Sequence, residues 1–143
     1  MPLNLLAKQK GEWAEVCFAA EVLRRGWRIS RPYGDSGPYD CIVDVRGRIS
    51  RVQVKAVAQA RKKTRFPYVV KLIRGRFNHL SYSGREIDVI AVLIVPKSVW
   101  YIVPISAVEG WRPRSKAIDR GWPWANATRS ALKPNKWSCS WKA

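Results

Sequence analysis

The chain has 143 residues, room for one domain of ordinary size, and its 47% hydrophobic and 26% charged residues make a globular balance that excludes a disordered polymer. Lys plus Arg number 27 against 10 Asp plus Glu, a formal net charge of +17, far more than acidic metabolites require and a footprint that suits nucleic acid. The longest apolar run, Val89 to Val95, is strand length, well short of the roughly 18 residues that cross a membrane.

In chain order, the first predicted element is a helix from about Gly11 to Arg25. Val16, Ala19, Ala20 and Leu23 recur at helical spacing, Gly26 can end the helix in a left-handed turn, and Arg24 and Arg25 complement the dipole of its last turn. Trp27 to Arg31 reads as a short strand. The stretch RPYGDSGPYD that follows is dense in Pro, Gly, Asp and Ser and reads as a loop. A hairpin comes next, with arms Tyr39–Val45 and Ile49–Val57 around the turn Arg46-Gly47-Arg48. On its second arm Val52, Val54 and Ala56 face one way and Arg51, Gln53 and Lys55 the other. Arg61, Lys62, Lys63 and Arg65 form a basic loop. Tyr68–Arg74 is β-rich and Gly75–Gly84 is loop. Ile87–Val95 and Val99–Pro104 are further strands, joined by the turn Pro96-Lys97-Ser98, and a short helix opens between Pro104 and Gly110. The last thirty or so residues are weakly patterned and hold five of the eight tryptophans. The order predicts an α/β domain spanning 1–143 around a mixed sheet of about five strands, with a core over about 10–104 and a Trp/Lys/Arg-rich extension over about 105–143.

Cys17, Cys41 and Cys139 are too few and scattered for a disulfide framework, no CxxC occurs, and His79 is the one histidine, so a zinc site is not expected. MPLNLLAKQK lacks a signal-peptide core, and a reduced cytoplasmic setting is the expectation. Acids are scarce, so their placement informs. Glu15 lies on the first helix and Asp40 opens the hairpin. Gln53 and Lys55, two apart on the second arm, share a face. A hairpin brings the start of one arm beside the end of the other, so Asp40 can neighbour Gln53 and Lys55 while Glu15 leans in from the helix. Two carboxylates and an amide oxygen are hard ligands suited to Mg²⁺, with Mn²⁺ as a substitute. Asp40 is the central ligand in this reading, joined by Gln53, Glu15 and the Val54 carbonyl. Lys55 serves the attacking water and the developing charge. Glu12 is an alternative to Glu15, three residues away and nearly on the same face. Asp44 is peripheral, and Asp88, opening a buried strand, is a structural hydrogen-bond acceptor.

GEWAE, PYD and QVK in this order resemble the PD-(D/E)xK nuclease superfamily, and within it the small endonucleases that include a cyanobacterial intron-encoded homing endonuclease. The segment from Lys10 to Lys55 follows that layout, as do IDVIAVLIVPKSVWYIVP and its Y-φ-V-P ending; the likeness runs from about Lys10 to Pro104. It implies a restriction-endonuclease-like core whose first helix carries a glutamate. By it Asp40 is the motif aspartate, Lys55 the motif lysine and Glu15 the helix glutamate, four residues after Gly11. Gln53 stands where most of the superfamily has Glu or Asp, removing an anionic ligand, although homing-type members also carry Q-x-K.

The expected function is a Mg²⁺-dependent DNA endonuclease, a homing- or site-directed duplex cutter. One site per chain implies a homodimer or a dimer of dimers. The alternatives are a junction-resolvase-like nuclease and an inactive DNA-binding module that keeps the fold; a basic RNA-associated protein is a third class, and no glycine-aromatic RNA-binding signature supports it. Ser36 is a candidate phosphate contact by the family likeness. Arg61, Lys62, Lys63 and Arg65 are candidate DNA-backbone contacts, and Arg74, Arg76 and Arg85 candidate groove readers, arginine being able to pair bidentately with guanine. The tail tryptophans are read as closing a small core or a subunit interface rather than stacking on unpaired bases.

Overall fold

The computed structural model describes residues 5–34, 37–63, 68–71, 73–74, 80–108 and 115–118, with backbone alone at 73–74, 80–81 and 115–118. Helix α1 spans Ala7–Arg24. It begins four residues before Gly11, because Ala7, Lys8, Gln9 and Lys10 are strong helix formers and the Gln9 side chain accepts the Leu6 backbone N–H at 2.8 Å. Gly11 is therefore a helix-interior glycine, a choice about 1 kcal/mol less favourable than alanine. The predicted left-handed stop is present. Gly26 has φ 73°, Trp27 N–H donates to the Val22 carbonyl and Gly26 N–H to that of Leu23.

The strands are β1 (Arg28–Ser30), β2 (Cys41–Val45), β3 (Arg48–Val57), β4 (Tyr68–Lys71), β5 (Ile73–Arg74), β6 (Leu80–Ser81), β7 (Val89–Ile94), β8 (Val99–Pro104) and β9 (Ser115–Ile118). Five of them form one mixed sheet in the order β1-β2-β3-β7-β8, antiparallel except for the parallel pair β3–β7. The hairpin turn is tighter than expected: Val45 pairs with Arg48, and Arg46 and Gly47 alone turn the chain at φ 54° and 86°. Asp44 accepts the Gly47 N–H at 2.7 Å and so fastens this turn.

The β-rich run at 68–74 divides into β4 and β5, and the span expected as loop at 75–84 contains β6, paired with β5. Strand β9 comes from the weakly patterned extension and pairs with β4, tying that segment to the fold. The link expected as a turn at Pro96-Lys97-Ser98 is a 3-10 turn over Val95–Lys97, and the expected short helix is one 3-10 turn at Ile105–Ala107.

The sheet has an apolar core on each face. Phe18 and Val22 of α1 pack on Val43, Val52, Val54, Ala91, Leu93 and Trp100, with the Phe18 and Trp100 rings 5.3 Å apart. On the other face Val57, Ile90, Val92, Ile94 and Val103 pack with Tyr68, Tyr82, Ile87 and Ile105. Strand β7 is buried from Ile90 to Ile94, the continuous apolar pattern of a strand covered on both faces. Asp88 enters β7 as a structural acceptor, taking the Arg51 backbone N–H at 2.8 Å and the Arg51 guanidinium at 3.0 and 2.9 Å. No helix among the described residues is long and apolar enough to cross a membrane.

Candidate active site

Strand β2 ends its pairing at Cys41, opposite Val52, while β3 runs on to Val57. Past Val52, β3 keeps β7 on one side and, among the described residues, has no strand on the other, and here groups from both faces meet. The Asp40 N–H makes the last backbone link, to the Val52 carbonyl at 2.9 Å. Its carboxylate then replaces the missing strand. Oδ2 accepts the Val54 N–H at 2.7 Å and the Gln53 Nε2 at 2.5 Å. Lys55 lies one alternation further, its Nζ 5.3 Å from the centre of the buried Tyr82 ring. Glu15 reaches in from α1 and forms an ion pair with Arg31, just past β1. Glu15, Asp40, Gln53 and Lys55 line one cavity of about 430 Å³. Glu12 is exposed and sits 4.0 Å from Lys8 instead.

Burial raises the Asp40 pKa above the ordinary carboxylate value, against the pull of the Val54 N–H, Lys55, Gln53 and Arg31. Glu15 is raised too, first by burial and then by the charge of Asp40, with Arg31 opposing. Cys41, beside them, is pushed up to about 12 by burial and by both carboxylates, so it stays a protonated core thiol. Two partly desolvated carboxylates that repel each other form a place where a divalent cation lowers the energy. No group of three or more His, Cys, Asp or Glu comes together as a metal site among the described residues. The donor set is thus two carboxylates with neutral oxygens, the Val54 carbonyl and the Gln53 amide, and it fits a hard, oxygen-preferring cation such as Mg²⁺. The amide has its nitrogen toward Asp40, and ligation by its oxygen requires rotation about χ3.

Arg61, Lys62 and Lys63 are exposed on the chain leaving β3, and Arg85 is exposed in the loop before β7. Arg74 lies on β5. Ser36, Arg65, Arg76, His79 and the tail tryptophans lie outside the described residues. Lys10, Trp13, Arg31 and Tyr82 also stand at or beside the cavity and were not anticipated.

A family model described as PD-(D/E)XK endonuclease matches residues 6–131. Among solved structures, a bacterial homing endonuclease aligns with a TM-score of 0.68 at 24% identity, covering 91% of this chain and 85% of that one. The Holliday junction resolvase Hjc of the archaeal hyperthermophile Archaeoglobus fulgidus aligns with a TM-score of 0.49 at 17% identity, covering 78% and 84%. No curated protein matches the chain.

Proposed function

The chain belongs to the PD-(D/E)XK endonuclease family, and from that premise we propose that it is a divalent-metal-dependent DNA endonuclease, a site-directed duplex cutter of homing type. The observation that carries the reading is the meeting of Glu15, Asp40, Gln53 and Lys55 at one cavity in a chain of net charge +17. The homing-type choice draws on the activity of the bacterial fold neighbour.

Asp40 and Glu15 would hold the cation, with Gln53 and the Val54 carbonyl as neutral donors. When bound, Mg²⁺ or Mn²⁺ acidifies water and neutralises charge on the scissile phosphate. Lys55 orients the attacking water and offsets the negative charge that develops on phosphorus oxygens. Tyr82 supports its ammonium from below. Arg61, Lys62, Lys63 and Arg85 offer cations to the DNA backbone or groove. One site per chain makes a two-fold homodimer, or a dimer of dimers, the assembly that cuts both strands.

Supercoiled plasmid incubated with the protein in Mg²⁺, Mn²⁺ or EDTA tests this. Cutting is expected in the metals alone, and Asp40→Ala and Lys55→Ala are expected to abolish it while still binding DNA. Cutting that survives Asp40→Ala would place the active site elsewhere. One observation favours a second reading, a DNA-binding module without catalysis: Gln53 replaces an anionic ligand and donates to Asp40. That reading expects metal-independent binding and no cutting in either metal.

A further inference from the structure

The cavity extends beyond the four chemistry-bearing side chains. It runs along α1 past Lys10, Gly11 and Trp13, and its 430 Å³ lies in the range of pockets that hold a small ligand. Gly11 precedes Glu15 by one helical turn on the same face. A Cβ built on Gly11 meets no atom within 4 Å, and its φ is not in the left-handed region, so neither packing nor backbone geometry demands glycine there. Lys10 is half-buried and forms no ion pair with any described residue. Trp13 is half-buried, packed against the core beneath α1 and also lining the cavity.

We propose that this wall of α1 is a subsite for the nucleotide next to the scissile phosphate. The Trp13 ring packs on the deoxyribose, the Lys10 ammonium pairs with the adjoining phosphate, and the missing side chain at Gly11 lets the DNA backbone come against the helix. The inference rests on the nuclease reading above and adds which part of the substrate this wall receives.

Gly11→Ala, Gly11→Leu and Lys10→Gln test it, with thermal unfolding of the free protein, anisotropy of a labelled duplex in EDTA, and plasmid cutting in Mg²⁺. Gly11→Ala is expected to raise Tm by about 3 °C through helix propensity and yet to weaken duplex binding and slow cutting severalfold. Gly11→Leu, which fills the wall, is expected to lose binding and cutting by tenfold or more. Lys10→Gln is expected to reduce the salt slope of binding by about one. A stabler Gly11→Ala with lower affinity separates this role from a folding defect. Wild-type binding and cutting in both Gly11 variants overturn the subsite alone. A wild-type protein that neither binds duplex nor cuts overturns the nuclease reading, and the subsite with it.

Discussion

Burial dominates the electrostatics of Asp40, and Gln53 is one of the groups that oppose it, after the Val54 N–H and Lys55. The Gln53 amide nitrogen donates to the same carboxylate oxygen that accepts the Val54 N–H. Gln53→Glu exchanges that donor for a like charge. The expected outcome is a loss of about 1–3 kcal/mol of stability without metal and a larger rise of Tm on adding Mg²⁺ than in the wild type. Thermal unfolding with Mg²⁺ and with EDTA measures both, and an unchanged Tm in EDTA would remove the proposed role of the Asp40–Gln53 bond. Asp88 gives a second residue-scale prediction. Hydrogen bonds from the Arg51 side chain, then its backbone N–H and charge, hold the Asp88 pKa below its ordinary value. A depressed pKa stabilises the fold fully above the unfolded value of about 3.9, and that contribution disappears as the pH falls through the folded value. Below about pH 4 the wild type should lose Tm more steeply than Asp88→Asn; equal slopes would show that the pair contributes nothing. The Asp40, Gln53 and Lys55 grouping was legible because hairpin register is local and its period is fixed. The Arg31–Glu15 ion pair and the Tyr82–Lys55 contact were not, since each depends on where a distant segment returns.

At the scale of elements, α1 and β3 carry the site. Helix α1 is held over the sheet by Phe18 and Val22, 3% and 0% exposed. Truncating Phe18→Ala should cost about 3–5 kcal/mol in urea unfolding, and a cost near zero would mean that α1 is not anchored there. The helix is where the sequence puts it, but the apolar set read from it is not the buried one: Val16 and Leu23 are each 60% exposed and Ala20 is exposed, while Ala14, Cys17, Phe18 and Val22, displaced around the helix, face the core. Its start comes four residues earlier than expected, since the helix formers before Gly11 outweigh that glycine. Strands β2, β3, β7 and β8 were legible from alternation or continuous burial and from strong turn residues. Strands β6 and β9 were not, and β4 and β5 were read as one run. Two- to four-residue ladders carry too few side chains to show a period.

For the whole molecule, the mixed sheet and the helix on one face were readable from element order, while the strand order was not, since composition does not say which strand β7 joins. Net charge acts at this scale too. Duplex binding should weaken steeply with salt, with a log–log slope of about −0.9 per phosphate neutralised; a binding constant indifferent to salt would contradict the nucleic-acid reading. Light scattering should give at least twice the chain mass, and a monomer that still linearises plasmid in one event would contradict the paired-subunit arrangement. The parallel pairing of β3 with β7 carries a consequence in time. Val52 faces Val89 across that ladder, so the central strand lacks its second neighbour until synthesis has passed Ile94 and the segment has cleared the ribosome. A nascent chain that already displays Glu15, Asp40 and Lys55 therefore has only three of the five sheet strands on which to align them. Ribosome-bound chains arrested before Val89 should leave nearby DNA uncut, and cutting should switch on late, when the parallel strand docks.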